Sequence, residues 1–432
     1  MDAALRVGTY ETDITPKLGT HLIGGFGPRP AVGIKDPLHA KAIVVSNEED
    51  ILALVTVDLC MIQRDYLDLA KARIEERTGI PPENVLISAT HTHTGPAATS
   101  ILAVDIDHEY AALVAHRAAD AVECALQRLQ PCELLCGTGA VDQVFNRRWT
   151  MKDGTVRCNP GYQIEQLDRP AGPVDRELGL LAFRSPEGAP LALYVNYSLH
   201  YVGSSPSNHV SADYFARVDN NLRRALGTPL AIVANGTSGD VNNCDFANPA
   251  PRHEMVDGQA IKVAGIVAAE AARAYYQASP GREVTLRGAL REITVTRREV
   301  DAEQLAEDER TVAHMDRMKP TSEQVYAFER LALAKEPVEQ KTWVQALRIG
   351  DVGLVGLPGE IFVEFGLRIK EESPLRPTFC ASLANDWVGY VPTPRALEEG
   401  GYETWTARSS KLTADAGPRM VETALELLAG LA

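Results

Sequence analysis

Runs of apolar residues alternate with stretches of helical periodicity along the first third of the chain. Short apolar runs bounded by polar turns are typical of buried strands. Between them, apolar residues recur at helical spacing, and Gly79 follows the first such stretch where a glycine cap belongs. The predicted elements are strands at 42–46 and 51–58, a helix at 62–78, a strand at 85–90 and a helix at 108–129.

The same patterns continue through the rest of the chain, without a visible sequence repeat or low-complexity linker. They predict a hairpin at 178–183 and 191–197, a helix at 211–226, a strand at 230–234, a helix at 254–278, a strand at 284–296, a hairpin at 343–349 and 352–357, a helix from Ile361, a strand near Phe379 and a helix from Gly417. Alternation of strands and helices predicts an α/β fold with a mixed sheet core covered by helices. We expect one domain over 1–432, with a charge-rich, mostly helical excursion at 297–337.

Composition excludes several classes of protein. The 432 residues are 45% hydrophobic and 23% charged, as in ordinary globular proteins. A net charge of -15 argues against nucleic acid or an anionic membrane as partner, and no apolar run is long enough for stable membrane insertion. The N-terminus lacks a secretory pattern, which favours a cytoplasmic protein unless a signal was removed. The seven cysteines form no C-x-x-C pair and therefore predict reduced thiols. We expect a small-molecule substrate. The sequence leaves open whether the protein forms a homo-oligomer.

Two histidines stand two residues apart in Ala89-Thr90-His91-Thr92-His93-Thr94-Gly95-Pro96. They follow a predicted buried strand. If the strand continues through them, both imidazoles point to the same side and converge. Imidazole is the commonest metal ligand in proteins, so this pair is the first candidate for a metal site.

Other polar side chains lie at the predicted ends of strands. Asp58, His200 and Glu360 each follow an apolar run. Two imidazoles, one carboxylate and an open position form the usual ligand set of a hydrolytic zinc centre. These residues therefore favour a shared Zn²⁺ site, although each alone also fits a plain surface residue.

The segment 235–243 is dense in small and hydrogen-bonding residues after a predicted strand. It matches neither a P-loop nor a nucleophile elbow. It is a cluster of turns or a loop whose N–H groups face an anion or a carbonyl. Among the nearby carboxylates, Asp58, Asp213 and Asp240 are candidates to support a site, and Asp240 is the one that we expect nearest to it.

An ordered set of fragments resembles the neutral ceramidase family in its N-terminal catalytic domain. The most specific is Ser88-Ala-Thr-His-Thr-His-Thr-Gly-Pro. The others are Gly8-Thr-Tyr-Glu-Thr-Asp-Ile-Thr-Pro, Ile34-Lys-Asp-Pro-Leu-His-Ala-Lys-Ala, Val57-Asp58, Asn146-Arg147, Pro358-Gly-Glu360, Tyr390 and Tyr402.

The resemblance implies a zinc ion held by two histidines, a glutamate and a tyrosine. Carried over by motif, the metal ligands are His91, His200, Glu360 and Tyr390. His93, Arg147 and Tyr402 match positions that hydrogen-bond the substrate carbonyl and stabilise the oxyanion that forms when a zinc-bound water attacks.

The sequence also departs from that family. Where ceramidases continue Gly-Asp-Val with a serine that contacts substrate, this chain has Asn242-Asn243. It ends about where the catalytic domain of the family ends, so we expect no C-terminal β-sandwich. Neither a secretion signal nor lipid-facing apolar segments are evident. These differences predict a substrate other than ceramide.

Three hypotheses of function follow. The first is a zinc hydrolase that cleaves an amide (N-acyl) bond in a small polar molecule. The second is a zinc enzyme acting on a sugar, lactone or ester, with Trp387, Trp405 and the segment 204–209 forming a sugar-sized pocket, although these are equally typical of loops and packing. The third is a non-catalytic binding protein with the same fold and a filled metal site.

Overall fold

The computed structural model describes residues 5–47, 49–161, 163–201, 203, 206–248, 257–281 and 285–432. Its helices are α1 Arg64–Thr78, α2 His108–Leu126, α3 Asp213–Leu226, α4 Gly258–Gln277, α5 Ala302–Val312, α6 Ser322–Leu333, α7 Val363–Glu372, α8 Pro394–Glu399 and α9 Ala416–Leu431. Short 3-10 helices cover Pro82–Asn84, Ile164–Gln166 and Tyr402–Thr404. Among the described residues, no helix is both long and apolar enough to cross a membrane.

The strands vary from two to eleven residues in length. They are β1 Arg6–Asp13, β2 His21–Leu22, β3 Arg29–Pro30, β4 Gly33–Ile34, β5 His39–Ser46, β6 Ile51–Val57, β7 Val85–Ala89, β8 Gln130–Pro131, β9 Glu133–Ala140, β10 Phe145–Asn146, β11 Arg148–Met151, β12 Val156–Cys158, β13 Leu167–Pro170, β14 Glu177–Arg184, β15 Pro190–Tyr197, β16 His209–Val210, β17 Ala231–Asn235, β18 Val241–Asn242, β19 Ser279–Pro280, β20 Leu286–Thr296, β21 Glu339–Ile349, β22 Val352–Gly356, β23 Glu360–Ile361, β24 Thr378–Ala381 and β25 Tyr390–Val391.

The chain repeats one topology three times. In each unit, three strands pair antiparallel in succession, a helix crosses over, and a fourth strand pairs parallel with the third. Unit A is β1-β5-β6-α1-β7, unit B is β9-β14-β15-α3-β17, and unit C is β20-β21-β22-α7-β24. The expectation of no internal repeat is therefore wrong for the topology, which is repeated without a recognisable repeat of residues.

One apolar core lies among the three sheets, and each sheet has a second core beneath its own helices. The central core unites Leu54 of unit A, Phe183 of unit B and Leu354 of unit C, among others. The outer cores hold α1 and α2 on sheet A, α3 and α4 on sheet B, and α7 and α9 on sheet C. Strands covered on both faces are apolar at nearly every position, which explains the unbroken apolar runs in the sequence.

The ends of these strands carry the candidate ligands. His91 follows the fourth strand of unit A by two residues, and His200 and Glu360 follow the third strand of units B and C by three and four residues. Backbone hydrogen bonds join the ends across units, as from Ser382 N–H to the Asn235 carbonyl at 3.0 Å and from Gly239 N–H to the Ile361 carbonyl at 2.8 Å.

The predicted strand through the histidine pair is wrong. Strand β7 ends at Ala89, and His91 has φ of 75°, in the left-handed region. The two side chains converge because the chain turns there and not because strand residues alternate. This backbone conformation is rare for a residue with a Cβ, so the surrounding fold must impose it.

Most other predicted elements are confirmed within a few residues. Helix α1 ends at Gly79, which has φ of 75° and donates its N–H to the Glu75 carbonyl. Residues 254–256 of one predicted helix and Val284 at the start of a predicted strand lie outside the described residues.

The excursion at 297–337 contains α5 and α6 and packs on the rest of the molecule. Val325, Leu333 and the side chain of Glu329 are fully buried. Arg408 pairs with Glu329, with its Nη2 2.7 Å from Oε1, which ties α6 to the loop after Trp405. A capping box at Thr321 fixes the start of the helix. The segment is thus an integral part of the fold and not a solvated appendage.

The packing of the sheets gives a first prediction. A Cβ on Gly179 of β14 would lie 2.4 Å from the ring of Phe379 of β24, so we expect Gly179→Ala to lower the free energy of unfolding by about 1–3 kcal/mol. Adding Phe379→Leu should recover part of the loss. Gly265→Ala in α4 is the control, because its Cβ meets no atom within 4 Å. Urea denaturation measures all three; equal stability of Gly179→Ala and wild type would contradict this packing.

Candidate metal centre

Three imidazoles meet at one point at the ends of the strands of units A and B. The Nε2 atoms of His91 and His93 are 3.3 Å apart, those of His91 and His200 are 3.2 Å apart, and those of His93 and His200 are 3.1 Å apart. The carboxylate of Glu360 comes from unit C, with its Oε2 3.3 Å from His91 Nε2. His91, His200 and Glu360 are buried, whereas His93 is only partly buried.

The opposite nitrogens of two of the rings are held by backbone carbonyls. His91 Nδ1 is 2.8 Å from the Cys60 carbonyl, and His93 Nδ1 is 2.8 Å from the Gly24 carbonyl. A carbonyl only accepts, so each Nδ1 carries the hydrogen and each Nε2 turns a lone pair toward the other. Facing lone pairs at 3.3 Å repel unless a proton or a cation lies among them.

The distances among these atoms suit a metal ion. Four ligands about 2.0–2.1 Å from one tetrahedral zinc ion lie about 3.3–3.4 Å from one another. The nitrogen and oxygen separations in this cluster are 3.1–3.3 Å. The donors are imidazole nitrogens and carboxylate oxygen, which Zn²⁺ accepts. The residues present therefore fit the metal that the sequence predicts.

Glu360 is held by its neighbours. Strand β23 pairs parallel with β25, which places Glu360 opposite Tyr390, and the two side chains are hydrogen-bonded. Trp387 Nε1 donates to Glu360 Oε1 at 3.4 Å. Burial alone would raise the pKa of Glu360, but His91 and the hydrogen bonds from His91 and Tyr390 keep it below its ordinary value. The carboxylate is thus ionised and oriented toward the imidazoles.

Arg147 connects the members of the cluster. Its Nε donates to Glu403 Oε1 at 2.8 Å, and its Nη1 lies 3.0 Å from His200 Nδ1. Its Nη2 donates to the Gly239 carbonyl at 2.8 Å and to the Tyr390 hydroxyl at 3.0 Å. One guanidinium group therefore lies against a histidine of the cluster and donates to its tyrosine.

Burial and neighbouring charges keep two of the imidazoles neutral. The pKa of His200 is held well below its usual value, chiefly by burial and then by Arg147, although a hydrogen bond to the Ser238 carbonyl acts the other way. The pKa of His93 is lowered by burial and by His91. Neutral imidazoles are the form that binds metals.

His91 behaves differently. Burial lowers its pKa, but Cys60 and Glu360 raise it well above the ordinary value. In the metal-free protein, His91 is therefore the ring that holds the proton shared within the cluster. A divalent cation bound here would take the place of that proton, so its binding would release a proton.

Two tyrosines close the cluster on the side of unit C. The rings of Tyr390 and Tyr402 are 5.7 Å apart and nearly perpendicular. Burial, followed by the charge of Glu360, raises the pKa of both phenols, so each keeps its proton without a metal. Tyr402 is only partly buried.

The three aspartates predicted nearby have other contacts. Asp240 accepts from Val363 N–H at 2.8 Å and from Asn146 at 3.0 Å, and burial raises its pKa to about 6. Its backbone carbonyl accepts the N–H of Arg147, so Asp240 holds the backbone of Arg147 in place. Asp58 accepts from His39 N–H, and Asp213 is buried at the first position of α3.

Several residues of the site have no motif that identified them. Glu403 is fully buried and pairs with Arg147, and its only sequence signal is its position next to Tyr402. Gly24 has φ of 94°, and a Cβ there would lie 2.6 Å from His93. Only glycine fits this contact.

The two tryptophans of the predicted sugar pocket differ in burial. Trp387 is buried and holds Glu360, whereas Trp405 is 51% exposed. Ser204 and Ser205 of the predicted segment 204–209 lie outside the described residues.

Comparison with known proteins agrees with the resemblance found in the sequence. Residues 5–218, about half of the chain, match the family model described as neutral/alkaline non-lysosomal ceramidase, N-terminal. The chain is similar to neutral ceramidase A of Dictyostelium discoideum, with 26% identity over 263 residues, 56% of this chain and 36% of that protein. It is also 24% identical to neutral ceramidase B of the same organism over 221 residues, 48% of this chain and 30% of that protein. The matched segments thus span about a third of the length of these curated relatives.

Solved structures extend the likeness of fold to the whole chain. Neutral ceramidase from Pseudomonas aeruginosa superposes with a TM-score of 0.76 at 19% identity, over 100% of this chain and 75% of that one. A ceramidase complexed with C2 superposes with a TM-score of 0.75 at 17% identity and the same coverage. The predicted α/β class, a mixed sheet core covered by helices, is confirmed. The solved structures show the shared fold, and the match of residues 5–218 to the family model shows that the chain belongs to the neutral/alkaline non-lysosomal ceramidase family.

Proposed function

We propose that this protein is a zinc-dependent hydrolase that cleaves the amide bond of an N-acylated small polar molecule and not ceramide. The metal ligands are His91, His200, Glu360 and Tyr390. The observation that carries the proposal is the meeting of three of these side chains, with His91 Nε2 3.2 Å from His200 Nε2 and 3.3 Å from Glu360 Oε2. When bound, Zn²⁺ supplies a Lewis acid that polarises a carbonyl and lowers the pKa of water to about 7.

The remaining groups act on the substrate carbonyl. His93 is partly buried, and its Nδ1–H is anchored on Gly24, so its Nε2 faces the same point as the Nε2 atoms of His91 and His200. From there it exchanges a proton with a substrate bound at the metal. Four N–H contacts of Arg147 orient its guanidinium group and with it Tyr390. Tyr402, next to Tyr390, offers a neutral hydroxyl that donates to the developing oxyanion.

The contacts of Asn242 support a substrate other than ceramide. This residue stands where ceramidases have a serine that contacts substrate. Its Nδ2 donates to Asn159 Oδ1 at 2.8 Å, and its Oδ1 accepts from Cys244 N–H at 2.9 Å. Asparagine has no hydroxyl group, and both polar atoms of its amide are already hydrogen-bonded within the protein. The position therefore does not offer a sphingoid base the contact that a serine would.

Metal content and turnover are expected to disappear together. His91→Ala and His200→Ala should each lower bound zinc from about one equivalent to near zero and abolish hydrolysis of N-acyl amino acids and N-acyl amino sugars, since each removes a ligand. His314→Ala is the control, because this histidine is exposed. Metal analysis by mass spectrometry and a product assay give the two readouts; full activity after chelation would refute the proposal.

His93→Asn separates a residue that acts on substrate from a metal ligand. We expect zinc to stay bound while kcat falls by about 10²–10⁴-fold, the usual effect of removing a general acid–base group. If zinc is lost as in His91→Ala, His93 is a ligand and the assignment of Tyr390 fails. Zinc stoichiometry at equal protein concentration decides between these outcomes.

Arg147→Lys tests the orienting guanidinium group. A lysine keeps the charge but cannot hold Tyr390 and the Gly239 carbonyl together, so we expect kcat to fall by about 10²–10³-fold with zinc retained. Arg148→Lys is a matched control, because Arg148 also pairs with Glu403 but donates toward the Ala396 carbonyl. Equal losses in both variants would show that the loss at Arg147 is one of stability, and thermal unfolding of each variant is the check.

A further inference from the structure

Four aromatic side chains form a continuous arc that begins beside the metal centre. From Tyr402 the ring of Trp405 is 6.1 Å away, from Trp405 the ring of Tyr326 is 5.1 Å away, and from Tyr326 the ring of Phe26 is 6.1 Å away. We call these residues the aromatic arc. Its first member, Tyr402, packs against Tyr390.

Both ends of the aromatic arc lie close to residues of the candidate metal centre. Phe26 lies two residues after Gly24, whose carbonyl holds His93 Nδ1. Arg29 of the same loop donates to the His93 carbonyl at 2.8 Å. The arc therefore runs from the tyrosine side of the cluster around to its histidine side, and two of its members, Trp405 and Phe26, are exposed.

The helical excursion supplies the middle of the arc. Tyr326 is on α6, which is held by the pair of Glu329 with Arg408 and by its capping box at Thr321. The loop at Gly27 packs closely against Pro320, shortly before α6. A Cβ added at Gly27 would lie 2.8 Å from the ring of Pro320. With its surroundings fixed in this way, Tyr326 is presented from a rigid element and not from a loose flap.

The hydroxyl of Tyr326 indicates a missing partner. The residue is only 6% exposed, and its hydroxyl has no hydrogen-bond partner in the part of the chain that the structure describes. A buried polar group left without a partner is costly. Trp405 and Phe26 beside it are 51% and 45% exposed, which leaves ring surface open next to a hydroxyl in need of a partner.

This combination fits a ring with an apolar face and polar edges. A long acyl chain would cover the rings but leave the Tyr326 hydroxyl unpaired. A sugar ring stacks its C–H face on an aromatic side chain and offers hydroxyl groups at its edge. We propose that the aromatic arc binds the sugar ring of an N-acylated amino sugar, with Tyr326 and Trp405 as residues that determine specificity. This inference rests on the proposed amide hydrolysis at the metal centre.

Binding of N-acetylglucosamine, measured by isothermal titration calorimetry, tests the arc without reference to turnover. We expect Tyr326→Phe to weaken binding about tenfold through loss of one hydrogen bond, and Trp405→Ala to weaken it by at least as much. Tyr194→Phe is the matched control for the first change, because its hydroxyl is also buried without a partner but lies in the central core. Tyr276→Ala, 73% exposed on α4, is the control for the second.

The inactive His91→Ala variant separates this inference from the proposed function. If it binds N-acetylglucosamine as the wild type does, the arc stands even where hydrolysis is absent. If the wild type hydrolyses N-acyl amino acids but binds no amino sugar, the arc proposal is overturned and the hydrolase stands. Tighter binding of N-hexanoyl-sphingosine than of the sugar, unchanged in Tyr326→Phe, would also overturn it.

Discussion

The apolar core shared by three sheets is the constraint on which the site depends. Each sheet has one face under its own helices and the other face in the central core, so the three strand ends cannot move apart without exposing buried surface. Those ends carry His91, His200 and Glu360. The cost of bringing several buried polar groups together is therefore offset by the apolar contacts of the central core.

The histidine cluster brings several nitrogen lone pairs together, and a bound cation would relieve their mutual repulsion. The backbone carbonyls at Cys60 and Gly24 fix the tautomers of two rings and leave their lone pairs opposed. Arg147 adds a positive charge that disfavours protonation of His200. A cation bound among the Nε2 atoms satisfies the cluster better than a proton, because it contacts several donors at once.

Much of the fold was predictable because its strands are apolar on both faces and its helices end at recognisable caps, such as Gly79 and the capping box at Thr321. The ligand set depended on motifs, since His91, His200 and Glu360 each follow an apolar run. What the sequence did not reveal are contacts between distant segments: Glu403 on Arg147, Gly24 on His93, and Tyr326 on Trp405. No local pattern encodes these pairs, because the partners are far apart in the sequence. The turn at His91 was missed for the same reason.

The threefold topology has a consequence for synthesis of the chain. Units A and B leave the ribosome first, and each displays the face of its sheet that unit C later covers. Neither can shield that face alone, so a nascent chain that halts before strand β20 exposes a broad apolar surface to chaperones and proteases. Glu360 and Tyr390 lie in the last unit to emerge. If the proposed metal centre is correct, its full set of ligands is therefore present only when translation is nearly complete.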